Sequence, residues 1–302
     1  MPQPLDAPTP LHALELGATL YVPATRLDLV DITLNNKING LRSMVLCLED
    51  AVSEHDVAFA LKNLAELLMQ LSEQPKAKLK IFIRPRHHAM LQSLLSWQNI
   101  GVIDGFVLPK FDTQSLPKYQ QILQHNQSLY IMPTFESADI FDIFAQRDIR
   151  QALQQDFSQV LALRIGGNDL LNTMSLRRPT THHIYATPVG YLIAQLAGQF
   201  ISHGFAMTAP VFEHFSQVDL FQQELALDIE HGLSGKTVIH PSQIAMVHDA
   251  FKVSQSEFEQ AQAILQPDAQ AVFAVAGSMI EPATHKNWAE KVLLRAEVYG
   301  VR

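Results

Sequence analysis

Val160-Leu-Ala-Leu-Arg-Ile165 is a short, mostly aliphatic run that stops at Gly166-Gly-Asn-Asp169 and turns polar there. Seven other stretches have the same form. They are Ala18-Thr-Leu-Tyr-Val22 before Pro23, Ser43-Met-Val-Leu-Cys-Leu48 before Glu49-Asp50, Leu79-Lys-Ile-Phe-Ile83 before Arg84-Pro85, and Gly105-Phe-Val-Leu108 before Pro109-Lys110. After these come Ser128-Leu-Tyr-Ile-Met132 before Pro133-Thr-Phe-Glu136, Phe205-Ala-Met-Thr-Ala209 before Pro210, and Lys236-Thr-Val-Ile239 before His240-Pro241. Runs of four to six apolar residues closed by Pro or Gly read as strands buried on both faces, the habit of parallel sheets. Helical periodicity lies between them. Val57, Ala60, Leu61, Leu64, Leu67, Leu68 and Leu71 form one face after Ser53, which reads as an N-cap, and Thr187 to Ser202 repeats the pattern with Pro188 at its start. Eight strands alternating with helices give an α/β fold, and eight is the number that closes a (β/α)8 TIM barrel. The alternative is an open doubly wound sheet, but no strand is followed by G-x-G-x-x-G.

The length of 302 residues fills one such barrel, so the chain reads as a single domain. Residues 1–16, with four prolines in the first ten, read as a loose arm, and 270–302 as a C-terminal helical extension. Lys plus Arg number 22 against 30 Asp plus Glu, a formal charge of −8, which argues against nucleic acid as a partner. No apolar run approaches the ~18 residues of a membrane span, and no Lys or Arg precedes Arg26, so no signal-peptide n-region is seen. The single cysteine, Cys47, fits a reducing compartment. A cytoplasmic location is expected.

Polar residues gather just after the strands: Glu49, Asp50, Arg84, Lys110, Glu136, Asp169 and His240. In a barrel these positions share one mouth, the catalytic face. Carboxylates crowded there repel, and a divalent cation offsets that cost, with oxygen donors favouring a hard ion such as Mg²⁺. No His/Cys pattern of zinc type competes. Lys110 reads as a partner of the carboxylates rather than a Schiff-base lysine, Cys47 as a small buried hydrophobe, and His240 as a hydrogen-bonded scaffold residue. Arg177, Arg178, Thr180 and Thr181 read either as a site for phosphate or a second acid group, or as a solvated loop.

Taken in order, Leu48-Glu-Asp-Ala-Val52, Ile83-Arg84, Val107-Leu-Pro-Lys110, Pro133-Thr-Phe-Glu136, Gly166-Gly-Asn-Asp169, Gly235-Lys-Thr-Val-Ile-His-Pro-Ser-Gln243 and Gly277-Ser-Met-Ile-Glu-Pro282 resemble the HpcH/HpaI aldolase and citrate lyase β-subunit superfamily. Arg177-Arg-Pro-Thr-Thr181, Tyr185-Ala-Thr-Pro-Val-Gly190 and Ala209-Pro-Val-Phe-Glu213 resemble its TIM-barrel C–C bond lyase branch, linked to tellurite-resistance-type stress clusters. The resemblance implies a carbon–carbon lyase or aldolase that works through a metal-stabilised enolate. Its substrate would be a small oxo or hydroxy acid, or the acyl-CoA of one. The resemblance makes Glu136 and Asp169 ligands of Mg²⁺, with Mn²⁺ as the substitute. It makes Arg84 the clamp on the substrate carboxylate, and Glu49 and Asp50 an acidic pair orienting the site. Lys110, Gly167 and Asn168 complete the substrate-binding set. Glu281 matches an acid/base Asp that a neighbouring subunit supplies in a homo-oligomer, a trimer or hexamer. The apolar stripe of Val292, Leu293 and Ala296 would then pack on that neighbour. Two positions depart from the pattern: Cys47 stands where Asp is usual, and Glu281 is one methylene longer than Asp. They keep a second reading open, a non-catalytic metal-dependent sensor or binding subunit that retains the barrel.

Overall fold

The computed structural model describes residues 11–74, 78–275 and 277–302. Its strands are β1 Gly17–Pro23, β2 Ser43–Cys47, β3 Lys80–Arg84, β4 Gly105–Leu108, β5 Tyr130–Phe135, β6 Leu163–Ile165, β7 Met207–Thr208 and β8 Gly235–Val238. All of these pair in parallel, each with its sequence neighbours, and β1 pairs with both β2 and β8. The remaining gap is bridged where the Ala209 amide donates to the Gly235 carbonyl at 2.7 Å and the Thr237 amide to the Ala209 carbonyl at 3.1 Å. The sheet is therefore a barrel and not an open doubly wound sheet.

Alternation along the strands turns every second side chain inward. Val45, Phe82, Val107 and Met132 form a dry layer with Ala13, Leu16, Leu161 and Ala162. Two residues further along their strands, Arg84 and Thr134 line a cavity together with Arg164 and Thr237. The barrel interior thus changes from apolar to polar toward the C-terminal ends of its strands. The helix Val57–Ser72 buries Ala60, Leu64, Leu67, Leu68 and Leu71, and Pro188–Phe200 buries Val189, Leu192, Ile193, Leu196 and Phe200.

Three local expectations are corrected. β5 does not stop at Pro133: Thr134 and Phe135 still pair with Arg164 and Ile165, so Glu136 leaves directly from the strand end. Ser53 does not cap the α-helix; it precedes the 3₁₀ turn Glu54–Asp56, and its hydroxyl bonds the Asp56 carboxylate at 2.5 Å. Residues 1–10 of the expected arm lie outside the described residues. Ala13–Leu16, by contrast, form a 3₁₀ turn with Ala13, Leu14 and Leu16 buried, and Ala13 and Leu16 pack in the apolar layer.

Contacts group the chain into two compact units, Met1–Ile244 and Ala245–Arg302. The second holds the helix Gln255–Ile264, an antiparallel pair β9 Phe273–Val275 and β10 Ser278–Ile280, and the helix Pro282–Tyr299. Residues 270–275 and 277–280 are therefore not helical, and Gly277 adopts φ +81° between the two strands. Val292, Leu293 and Ala296 pack with Ala261, Ile264 and Ile280 of the same unit. The stripe is covered within its own chain, so it does not call for a neighbouring barrel.

Candidate active site

Glu136 leaves β5 into the barrel mouth and is 4% exposed. Arg84 Nη2 donates to its two oxygens at 3.0 and 3.2 Å, and the Lys110 amide donates to Oε1 at 2.7 Å. Lys110 adopts φ +48°, a conformation that costs a side-chain-bearing residue and here aims its N–H at the carboxylate. The same Arg84 nitrogen lies 2.7 Å from Glu49 and 3.3 Å from Asp50, while Lys110 Nζ is 3.4 Å from Glu49. Asp169 sits in the first turn of the helix Gly167–Thr173 and faces the same cavity, about 390 Å³, as Asp50, Arg84, Glu136, Gly167 and Asn168. Four carboxylates thus crowd one mouth, with Arg84 and Lys110 as the ion-pair partners of Glu49, Asp50 and Glu136.

The electrostatics follow from that crowding. Burial pushes the Glu136 carboxyl up to about 7, with Arg84 pulling it down and Asp169 pushing it further up. Partial burial and the neighbouring Asp50 raise Asp169, and burial beside Asp50 raises Glu49. Burial opposes the charge on Arg84, but Glu136, Tyr21 and Glu49 outweigh it and hold the guanidinium protonated.

The residues fit a hydrated hard cation. A Cβ on Gly166 would lie 2.4 Å from Glu136 Cβ and 2.6 Å from its Oε2, so only glycine leaves that carboxylate its present position. Buried Asn168 Oδ1 and Thr134 Oγ1 lack hydrogen-bond partners. Two carboxylates with neutral oxygens nearby suit Mg²⁺, which keeps several waters. Among the described residues no group of three or more His, Cys, Asp or Glu side chains is placed to hold an ion, so a cation here would take two carboxylates and complete its shell with water.

Other candidates fall elsewhere. Cys47 is buried, and burial raises its thiol. His240 Nδ1 is 2.7 Å from Ser242 Oγ and its ring stacks on Phe215, as a scaffold residue would. Glu281 belongs to the second unit, as N-cap of Pro282–Tyr299 without a side-chain capping bond. Arg178 is not in a solvated loop: it is buried against Glu224 and lies over the Phe212 ring. Arg177 is exposed.

Sequence reasoning missed two features. One is a buried network behind the mouth: Lys236 Nζ binds Glu224 at 2.9 Å and Asp228 at 2.8 Å, Tyr185 donates to Asp228 at 2.6 Å, and the Ile184 amide to Glu224 at 3.1 Å. It ties the loop after β6 to β8 and to the helix Val218–Glu230. Lys236 inside an apolar run, and Glu224 and Asp228 four residues apart beside Phe221 and Leu225, were the available signal. The other is Arg164 in β6, 1% exposed and lining the cavity.

A family model described as "C-C_Bond_Lyase of the TIM-Barrel fold" matches residues 10–301. Among solved structures, the chain is similar to a citrate lyase from Burkholderia xenovorans LB400, at TM-score 0.72 and 17% identity over 97% of this chain and 96% of that one. It is also similar to CitE from Mycobacterium tuberculosis in complex with magnesium, acetoacetate and coenzyme A, at TM-score 0.69 and 19% identity over 94% and 99%. RipC from Yersinia pestis follows at TM-score 0.61 and 21% identity over 81% and 99%. No curated protein matches the chain.

Proposed function

The chain belongs to the C–C bond lyase family of the TIM-barrel fold, and on that premise we propose a Mg²⁺-dependent lyase or aldolase. It would break or form the bond next to a carbonyl in an oxo or hydroxy acid, free or as its acyl-CoA. The observation that carries the reading is the barrel mouth itself, where Glu49, Asp50 and Glu136 crowd around Arg84 and Lys110 and Asp169 lines the same cavity as Asp50 and Glu136. A divalent cation offsets the repulsion among these carboxylates. Glu136 and Asp169, on consecutive strand ends, would hold it. That CitE from M. tuberculosis has been solved with magnesium and oxaloacetate supports the choice of ion and substrate class.

When bound, Mg²⁺ supplies Lewis-acid stabilisation for the negative oxygen of an enolate. The rest falls to side chains. In the cleavage direction a mouth carboxylate takes the proton of the substrate's β-hydroxyl. The C–C electron pair passes into the adjacent carbonyl, and the hydroxyl carbon leaves as a new carbonyl. Arg84 locks Glu49, Asp50 and Glu136 in place, and its Nε, buried and without a partner, is free to hold the substrate acid group. Gly167 and Asn168 border the same space, and Lys110 steadies Glu49. The family resemblance assigns the remaining proton transfer to Glu281 of a neighbouring copy.

Two expected results test this reading. Because Glu136 titrates near 7 and binds metal only when ionised, Mg²⁺ affinity should fall about tenfold per pH unit below that value. Without metal the sign for stability is opposite. A carboxyl raised from 4.5 to about 7 holds its proton in the native state, so apo stability falls as pH climbs through that window, and Mg²⁺ restores it. Calorimetric titration and thermal melts between pH 5.5 and 8 in roughly half-unit steps read both effects; a flat Mg²⁺ affinity contradicts the site. Arg84→Lys keeps a charge but loses the guanidinium, whose Nη2 meets three carboxylates while its Nε stays open for the substrate. Turnover should drop by roughly one to two orders of magnitude, the scale of a charge-assisted hydrogen bond. Unchanged steady-state kinetics would reduce Arg84 to scaffold.

A further inference from the structure

Arg164 is buried inside the barrel without a counter-ion. Its Nη2 donates to Thr237 Oγ1 at 2.6 Å, its Nη1 to Met132 Sδ at 3.6 Å, and its guanidinium carbon lies 5.3 Å from the Tyr21 ring centre. None of these partners is anionic, and no carboxylate pairs with Arg164 among the described residues. Its Nε has no hydrogen-bond partner, nor has the buried hydroxyl of Thr134. Arg164, Thr134, Tyr21 and Thr237 line the same cavity as Glu136 and Asp169. A lone buried guanidinium is costly, and proteins keep such a charge where function uses it.

Its surroundings say what it waits for. Arg84 and Lys110 are each paired with carboxylates of the mouth. Arg164 lines the cavity with a donor and a neighbouring hydroxyl unsatisfied and no carboxylate beside it among the described residues. We infer that Arg164 and Thr134 form an anion subsite in the cavity wall that takes a second acid group of the substrate, making Arg164 the residue that selects a dicarboxylate over a monocarboxylate. The inference rests on the Mg²⁺ lyase reading for the first acid group, which the metal and Arg84 hold. The subsite itself needs only the guanidinium fork, whose planar donors match a carboxylate.

L-malate and (S)-lactate share a hydroxy-acid end and differ by one carboxylate, so their affinity ratio reads the subsite. Calorimetric titration of the full chain is run with Mg²⁺ and again in EDTA. With Mg²⁺, malate should bind roughly 10- to 100-fold tighter than lactate, the range of a charge-assisted hydrogen bond to a buried group. Arg164→Met should equalise the two while leaving lactate and Mg²⁺ affinity unchanged. The ligand-free variant should also melt no lower than the wild type, since an uncompensated buried charge has been replaced by an apolar side chain. A scaffold arginine predicts the reverse: a lower melting temperature and an unchanged malate-to-lactate ratio. Should Arg164→Met fail to fold, Thr134→Val gives the same reading through a reduced ratio at constant lactate affinity. A wild type that binds both acids equally, with Mg²⁺ bound, overturns the subsite and leaves the lyase reading standing. Arg164-dependent malate binding in EDTA, with no Mg²⁺ binding at all, overturns the lyase reading and leaves the subsite standing.

Discussion

Replacing Glu136 by Gln together with Asp169 by Asn is expected to remove measurable Mg²⁺ binding and to lower turnover by about 10³-fold or more. Lewis-acid stabilisation of a developing oxyanion is worth several kcal/mol, and about 1.4 kcal/mol is a factor of ten in rate. The fold should survive, because neither side chain belongs to the apolar layer of Val45, Phe82, Val107 and Met132. The apo variant should even melt at or above the wild type. Glu136 is buried with its carboxyl raised to about 7, so the wild type carries an unfavourable charge at neutral pH that Gln lacks. Mg²⁺ titration, turnover and a thermal melt on the same preparation separate loss of the site from loss of the fold. A variant that binds Mg²⁺ like the wild type places the metal elsewhere.

Glu224→Gln should cost about 3–5 kcal/mol of stability, the penalty for stripping one partner from a buried ion pair. Glu224 is wholly buried between Arg178 and Lys236 and also accepts the Ile184 amide. Burial alone would raise its pKa, but Lys236 and Arg178 hold it down to about 2. Asp228 shares Lys236 and moves the other way, raised by burial, because it has one cation where Glu224 has two. A depressed carboxylate stabilises the fold above its unfolded pKa. The Glu224 contribution is thus full above about 4.5 and is lost as pH falls toward 2. Urea unfolding near pH 7 should show a lower midpoint at an unchanged slope. Activity should fall as well, since the loop through Tyr185 is tied down by this cluster. An unchanged midpoint would mean that the network is ornamental to stability.

Much of the site was legible because a parallel barrel sorts residues by position. Apolar runs stopped by Pro or Gly marked the strands, and the first polar residue after each run fell into the mouth. Glu49, Asp50, Arg84, Lys110, Glu136 and Asp169 are together for that reason. The rule fails for charges inside the runs. Arg164 and Lys236 sit mid-strand, where hydrophobic patterning registers only that the segment is buried. The strand alternation then sends Arg164 into the barrel, while Lys236 meets the carboxylates of the helix Val218–Glu230. The β9–β10 pair escaped because three-residue strands around Gly277 are too short to show a period of two. Partner strands and partner charges are tertiary facts, and Arg178 reads as a loop arginine until Glu224 is placed beside it. A link to tellurite-resistance-type clusters concerns neighbouring genes, which one chain does not carry.

An enolate formed at this mouth with the help of Mg²⁺ would exchange its methyl protons with solvent. The most direct measurement is solvent-deuterium exchange into the methyl group of pyruvate or of acetyl-CoA, followed by proton NMR with the Mg²⁺-loaded wild type, the EDTA-treated wild type and Glu136→Gln. The expected result is loss of the methyl signal of at least one of the two with the loaded wild type only. A wild type that binds Mg²⁺ and either compound, yet leaves both methyl signals intact over the same interval, contradicts it and favours a barrel that binds without turning over.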